Sequence, residues 1–188
     1  MSLQSEKAAL RQVIRTTLAA QPDPVRQAGD RRLFQQLLAQ PEFQRAESLL
    51  LFLGVGTEPD TAPLIRALLR DGRRVALPRV LSRETMELRW ITDLRQLRPG
   101  RLRIPEPDAS CPLAAPEALE FALIPALCYD KSRYRLGQGG GYYDRFLSAY
   151  TGFSAGLCRD AVLRDTLPRE PHDRPVRLVL TETCVIEM

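Results

Sequence analysis

The sequence predicts an α/β fold: a mainly parallel central sheet flanked by helices in a Rossmann-like three-layer arrangement, preceded by two N-terminal helices. Three observations predict it. Short apolar runs of strand length alternate with amphipathic segments of helical period. The strand–helix–strand unit at 48–78 has the length of a parallel crossover. The loop at 54–60 follows the first apolar run directly, at the carboxyl end where ligands gather in such sheets.

Taken in order, Ser5 can cap a first helix whose Leu10, Val13, Ile14 and Leu18 follow helical spacing. On that helix Lys7, Arg11 and Arg15 recur every fourth residue, which lines three cations along one flank; spacing alone favours a solvated face. Asp23-Pro24 opens a second helix with Leu33, Phe34, Leu37 and Leu38 facing inward. Residues 48–53 read as a strand, 61–70 as a helix ended by Gly72, and 74–78 as the next strand. Met86, Leu88 and Trp90 alternate with Glu87 and Arg89, the pattern of a half-buried strand. The proline-rich stretch 99–116 reads as irregular or edge structure. Strands are expected at 121–127, 153–157 and 177–181, and a helix at 142–150.

The chain has 188 residues, of which 44% are hydrophobic and 27% charged, the profile of a soluble globular protein, read here as one domain over 1–188. Its longest apolar run, 49–56, falls far short of the roughly 20 residues that cross a bilayer, and residues 1–18 lack a signal-peptide apolar core. No membrane association and a cytoplasmic location are therefore expected. The net charge is +4, and with Lys7 and Lys131 the only lysines the basic residues are almost all arginine. They are spread along the chain, whereas a nucleic-acid binder concentrates its charge, so no nucleic-acid partner is expected. Cys111, Cys128, Cys158 and Cys184 are far apart and read as reduced thiols. With His172 the single histidine and no G-x-S-x-G elbow, a hydrolase built on a nucleophile and a histidine is disfavoured.

The informative segment is 126–147, ALCYDKSRYRLGQGGGYYDRFL, which follows a strand and runs into a helix. Gly137, Gly139, Gly140 and Gly141 let several backbone N–H groups point into one concavity that phosphate oxygens can approach without meeting a Cβ. The following helix start adds donors and a favourable dipole, and Arg135 and Arg145 add permanent charge. The spacing is neither that of a P-loop nor G-x-G-x-x-G, so the residues alone give a phosphate-binding loop of unspecified type. Asp144 then lies in the first helical turn, where a carboxylate can hold Mg²⁺ against phosphate oxygens.

The run D-x-x-x-x-R-L-G-x-G-G-G-Y-Y-D-R-F at 130–146 resembles the signature of the 5-formyltetrahydrofolate cyclo-ligase (5,10-methenyltetrahydrofolate synthetase) family. Lys7 and Arg11 in K-x-x-x-R, the T-E-P-D-T run after the first strand, V-A-L-P-R at 75–79, Glu106-Pro107 and His172-Asp173 agree in order and spacing. The resemblance implies a monomeric α/β enzyme that uses ATP and Mg²⁺ to convert 5-formyltetrahydrofolate to 5,10-methenyltetrahydrofolate, releasing ADP and phosphate. By the same resemblance Lys7 and Arg11 meet the ATP phosphates, and Arg135, Leu136, Gly137, Gln138, Gly139, Gly140, Gly141, Tyr142 and Tyr143 wrap them. Gln138 and the three glycines after it also approach the formyl group, with Arg135 and Tyr142 in catalytic roles. Asp144 and Asp173 hold Mg²⁺; Glu58 binds the pterin N–H groups, Leu53 lines that pocket, and Tyr142, Tyr143 and Trp90 are aromatic walls. Three positions depart from the family pattern: Arg103 and Arg133 stand where glycine is usual, and Arg177 where an acid is common. Arginine in place of a glycine of positive φ costs on the order of 1 kcal/mol or more.

Overall fold

A computed structural model describes residues 2–101 and 104–187; Arg103, one of the departures from the family pattern, lies outside them. Helix α1 (Leu3–Ala19) starts earlier than expected because Ser2, not Ser5, is its cap: the Ser2 hydroxyl accepts the Ser5 N–H at 3.3 Å. Helix α2 (Asp23–Leu38) carries Pro24 in its first turn, where the missing N–H costs nothing, and a short α3 (Pro41–Arg45) follows. Strand β1 (Ser48–Leu50), helix α4 (Ala62–Arg70) and strand β2 (Arg74–Val80) form the expected parallel crossover, with Leu49 opposite Val75. Strand β3 (Met86–Ile91) returns antiparallel to β2. The proline-rich region supplies a small hairpin, β4 (Leu97–Pro99) with β5 (Pro105–Pro107), laid against β2 and β3.

Strand β6 (Phe121–Ile124) pairs parallel to β1 on the side away from β2. A second small hairpin follows, β7 (Cys128–Tyr129) with β8 (Arg135–Leu136), then helix α5 (Tyr142–Ala149). Strands β9 (Phe153–Leu157) and β10 (Leu178–Leu180) extend the parallel sheet beyond β6, and β11 (Val185–Ile186) closes its edge antiparallel. The seven-stranded order is β11-β10-β9-β6-β1-β2-β3. No helix among the described residues is long and apolar enough to cross a membrane.

Three strands are shorter than the sequence predicts, β10 by one residue at each end. Residues 51–53 leave the strand because Thr61 captures their backbone: its hydroxyl donates to the Phe52 carbonyl at 2.5 Å and accepts the Gly54 N–H at 2.9 Å. The strand expected at 121–127 stops at Ile124 because Pro125 has no N–H for the ladder. The β7–β8 hairpin was not foreseen, since two-residue strands carry no periodicity.

Alternation along the strands divides the core between the two sheet faces. Leu49, Leu51, Phe121 and Leu123 pack on one face with Leu33 and Leu37 of α2 and Ile65 and Leu68 of α4. Leu50, Ala122 and Ile124 pack on the other with Ile14 and Leu18 of α1 and the α5 side chains Phe146 and Leu147. The two N-terminal helices therefore lie in opposite layers, and each fully buried leucine contributes on the order of 2 kcal/mol.

Two positions test this packing. A Cβ on Gly156 of β9 would overlap the fully buried Tyr129 ring, whose hydroxyl is fixed by the Ile124 carbonyl at 2.7 Å. Gly156→Ala is expected to lower unfolding free energy by about 1–3 kcal/mol in denaturant titration; unchanged stability would show that the ring can move aside. Arg133 takes φ 68°, the left-handed region that the family's glycine occupies freely, and its guanidinium bonds the carbonyls of Val176 at 3.2 Å and Glu187 at 3.3 Å. Since both Arg133→Gly and Arg133→Ala lose those bonds, the glycine variant should be the more stable of the two by about 1 kcal/mol.

Candidate functional site

The chain leaves β1 toward β2 on one side and leaves β6 toward β9 on the other, so the carboxyl ends of β1 and β6 flank a topological switch point. A cleft of about 520 Å³ opens there. Phe52, Leu53 and Glu58 enter it from the loop after β1, and Pro125 and Ala126 from the end of β6. Gly54 makes the first loop possible, because a Cβ there would overlap the Pro59 carbonyl. The loop turns back so that Glu58 accepts the Val55 N–H at 3.1 Å, and burial pushes the Glu58 carboxyl above its ordinary range against the pull of that N–H.

The glycine block is delivered by the β7–β8 hairpin, whose turn is organised by Asp130, a carboxylate with no solvent exposure. Its Oδ1 accepts the N–H groups of Ser132 at 2.9 Å and Tyr134 at 3.0 Å. Its Oδ2 accepts the Leu167 N–H at 3.0 Å and the Arg169 guanidinium at 2.7 Å. Leu136 is buried in the core beneath the block, and Arg135 presents a guanidinium only 4% exposed, paired with Asp144 at 2.7 Å and donating to the Arg174 carbonyl at 2.8 Å. Beyond it Gly139 adopts φ 102°, a conformation that side-chain-bearing residues rarely take.

The cation stripe on α1 is only partly solvated: Lys7 is buried, Arg11 half-buried and Arg15 exposed. Arg11 Nε donates to the Gly137 carbonyl at 2.8 Å and Arg15 to Gln138 Oε1 at 2.5 Å, so two successive turns of α1 anchor the block. Arg145 holds the Gly140 carbonyl at 2.8 Å and lies 5.3 Å from the Tyr142 ring centroid. Tyr142 donates its hydroxyl to the Ser82 carbonyl at 2.6 Å, tying the start of α5 to the tip of the β2–β3 hairpin. Tyr143 also lines the cleft, and burial, with the Glu58 charge nearby, raises its hydroxyl above the usual range. Trp90 does not line it: the half-buried ring packs against the core with the Arg74 guanidinium 4.0 Å from its centroid, so the expectation of an aromatic wall there is corrected.

Lys7 also lines the cleft. Its Nζ lies 2.7 Å from Asp173 Oδ2 and 2.9 Å from Glu170 Oε2, and Asp173 Oδ2 also accepts the Glu170 N–H at 2.7 Å. The lysine expected at phosphates and one acid expected at a metal thus form one mostly buried cluster, which Glu170, unnoticed in the sequence, completes. Burial pulls Lys7 down and pushes Asp173 up, but in both groups the mutual hydrogen bonds and charges outweigh it: Lys7 is raised and Asp173 lowered. Asp144 has Oδ1 occupied by Arg135 and by the Arg174 N–H at 3.2 Å. Ligand atoms of Glu170, His172 and Asp173 lie within 4.8 Å of one another.

A second cavity of about 580 Å³ adjoins the first, sharing Glu58, Ile104, Ala126 and Gln138 with it. Together they offer room for two sizeable ligands meeting beside the glycine block. Cys158 lines the second cavity and no thiol among the described residues lines the first; burial pushes Cys128 and Cys158 up to about 12, leaving neither as a nucleophile near neutral pH.

The Lys7 cluster generates a pH prediction. A lowered Asp173 contributes stability above its unfolded pKa that is lost as pH falls through its lower folded value, while a raised Lys7 contributes stability that is lost only above its raised pKa. Lys7→Met should therefore cost on the order of 1–3 kcal/mol at pH 7 and a smaller amount near pH 3, read by urea titration at both. An equal cost at both pH values would mean that the ion pair is not the source.

The profile of the 5-formyltetrahydrofolate cyclo-ligase family matches residues 3–182. The chain is 32% identical over 158 residues to the 5-formyltetrahydrofolate cyclo-ligase of Escherichia coli, spanning 81% of this chain and 87% of that protein. It is 36% identical over 138 residues to the enzyme of the same name from Mycolicibacterium smegmatis, spanning 69% and 71%. Among solved structures, Aquifex aeolicus 5,10-methenyltetrahydrofolate synthetase superposes with a TM-score of 0.83 at 28% identity, covering 96% of this chain and 92% of that one. With the glycine block, its anchoring arginines and the acidic loop gathered at one switch-point cleft, these matches make the chain a member of the 5-formyltetrahydrofolate cyclo-ligase family of enzymes.

Proposed function

We propose that the chain catalyses the ATP- and Mg²⁺-dependent conversion of 5-formyltetrahydrofolate to 5,10-methenyltetrahydrofolate, with ADP and phosphate released. The observation that carries this reading is the meeting, in one cleft, of a cation-anchored glycine block with an acidic loop. The block suits the phosphates of a nucleotide, and Glu58 suits the N–H donors of a reduced pterin. The adjoining cavities suit a reaction that must hold two large substrates at once.

The chemistry needs ATP because a formamide oxygen is a poor leaving group. The formyl oxygen attacks the terminal phosphorus and ADP departs; nitrogen 10 then attacks the activated carbon, phosphate leaves, and loss of the nitrogen 10 proton gives the methenyl ring. The protein's task is positioning and charge stabilisation, which agrees with the inert thiols. Arg135 supplies a buried cation preset by Asp144, Arg11 and the backbone of Gly137, Gln138, Gly139, Gly140 and Gly141 cradle phosphates, and Tyr142 and Tyr143 wall the reacting groups. Lys7 is held beside Asp173, ready to share its charge with an incoming phosphate. Leu53 and Glu58 face the folate.

The acidic groups fit Mg²⁺, a hard cation served by oxygen donors. Asp144 and Asp173 each keep one carboxylate oxygen outside their close charge pairs, and Asp173 sits within the Glu170–His172 grouping. Asp144 and Asp173 would hold Mg²⁺, which would supply neutralisation of charge on the transferring group. The reading extends to a monomer acting in the cytoplasm, a reducing compartment suited to the four free thiols.

The test is the absorbance of the methenyl product, followed with 5-formyltetrahydrofolate and Mg²⁺ in the presence and absence of ATP. Product is expected only with ATP, and none from a folded, ATP-binding protein would overturn the reading. Glu58→Gln should weaken folate affinity about tenfold or more and leave the KM for ATP near its wild-type value. Asp144→Asn should lower the ATP-dependent rate at least about tenfold with folate affinity retained; the reverse pattern would exchange the two assignments.

A further inference from the structure

The cleft contains a buried carboxylate that none of the roles above uses. Glu106, on β5, is 7% exposed and lines the cleft together with Glu58. Among the described residues its one hydrogen bond is from the Val80 N–H to Oε2 at 3.3 Å, which leaves Oε1 without a described donor. It makes no ion pair among the described residues: Arg79, the nearest source of favourable charge, lies 3.7 Å from Glu87, which Arg89 holds at 2.6 Å. Burial raises the Glu106 carboxyl above its ordinary range despite the Val80 N–H and the Arg79 charge.

A carboxylate kept for structure alone is paired or saturated with hydrogen bonds, because burying a charge without compensation is costly. Glu106 is neither, yet the fold makes room for it. A Cβ on Gly100, at the facing end of the β4–β5 hairpin, would overlap the Glu106 carboxyl, so glycine at 100 is what lets Glu106 occupy this seat. Among the described residues the hairpin contributes Ile104, Pro105 and Glu106 to the cleft.

We infer that Glu106 is a second acidic contact for the substrate, accepting a hydrogen bond from an N–H of the reduced pterin through the oxygen that Val80 leaves open. This inference rests on the folate reading of the cleft. A reduced pterin offers more N–H donors than one carboxylate can accept: a 2-amino group, a ring N–H beside it, and a further ring N–H in the reduced half. Glu58 from the β1 loop and Glu106 from the β5 hairpin bring two acceptors from different elements, so an oxidised pterin, which lacks the N–H of the reduced half, leaves one carboxylate without its donor. The pair therefore acts in specificity, because an unpaired buried charge disfavours the wrong ligand more than a good contact favours the right one.

Glu106→Gln keeps an acceptor for Val80 and removes the charge, so it should leave thermal stability unchanged while weakening 5-formyltetrahydrofolate binding about tenfold, measured by calorimetry. The KM for ATP should not move, and kcat at saturating folate should stay within about twofold of wild type. Gly100→Ala, which displaces the carboxylate and keeps its charge, should give the same folate-selective loss. Wild-type folate affinity in a folded Glu106→Gln protein would overturn the inference and leave Glu106 as a brace for Val80. Failure of the unaltered protein to bind or convert 5-formyltetrahydrofolate would instead overturn the cyclo-ligase reading on which it rests.

Discussion

The site depends first on one buried carboxylate, Asp130. It sits where β7 ends and accepts four hydrogen bonds, two from the turn that it opens and two from the segment that later carries Glu170 and Asp173. The first two fix a five-residue turn that must also accommodate Arg133 at positive φ. The second two dock the 167–169 strand of chain against that turn, which brings Lys7's acidic partners to the same end of the cleft as Arg135. Each bond ends on a charged carboxylate with no solvent exposure, so the group as a whole is stiff, and the glycine block that follows inherits a defined starting point.

A second feature is that three cations of the cleft, Lys7, Arg135 and Arg11, already have partners within the protein. Lys7 is matched by Asp173 and Glu170, Arg135 by Asp144, and Arg11 by a loop carbonyl. Such pairing lowers the cost of holding like charges close together and keeps their side chains ordered. An incoming polyanion exchanges partners with groups already aimed at it, without first ordering free side chains, which is the condition for electrostatic preorganisation. The anchoring of the glycine block by two turns of α1 serves the same end, since a loop free to move would lose part of its binding energy to ordering.

Arg133 shows how a local rule can be broken and the fold retained. A glycine would meet the φ of 68° without strain; the arginine carries the strain and uses its long side chain to bond the carbonyls of Val176 and Glu187. The turn keeps its shape, and in exchange the end of the chain is tied to the hairpin beneath the glycine block. Nothing in the structure explains Arg177 in the same way: its side chain reaches the Thr151 carbonyl at 3.4 Å and remains exposed.

The sequence by itself determined the α/β class, the first crossover, the positions of the major helices and the glycine block, because each is written in local periodicity or in residue types with few structural uses. It also brought Glu58, Arg11, Arg135 and Asp144 forward through the resemblance that their motifs carry. Only the tertiary structure decided that α1 and α2 occupy opposite layers, that the α1 cations face the glycine block, that Trp90 packs against the core, and that Lys7 meets Asp173 across 166 residues of chain. The motifs included Asp130 and Glu106, but their roles, and that of Glu170, were hidden for the same reason. A carboxylate in a sequence looks alike whether it ends in water or in a cleft, and what separates the two is burial and partner geometry, set by contacts between segments far apart in the chain.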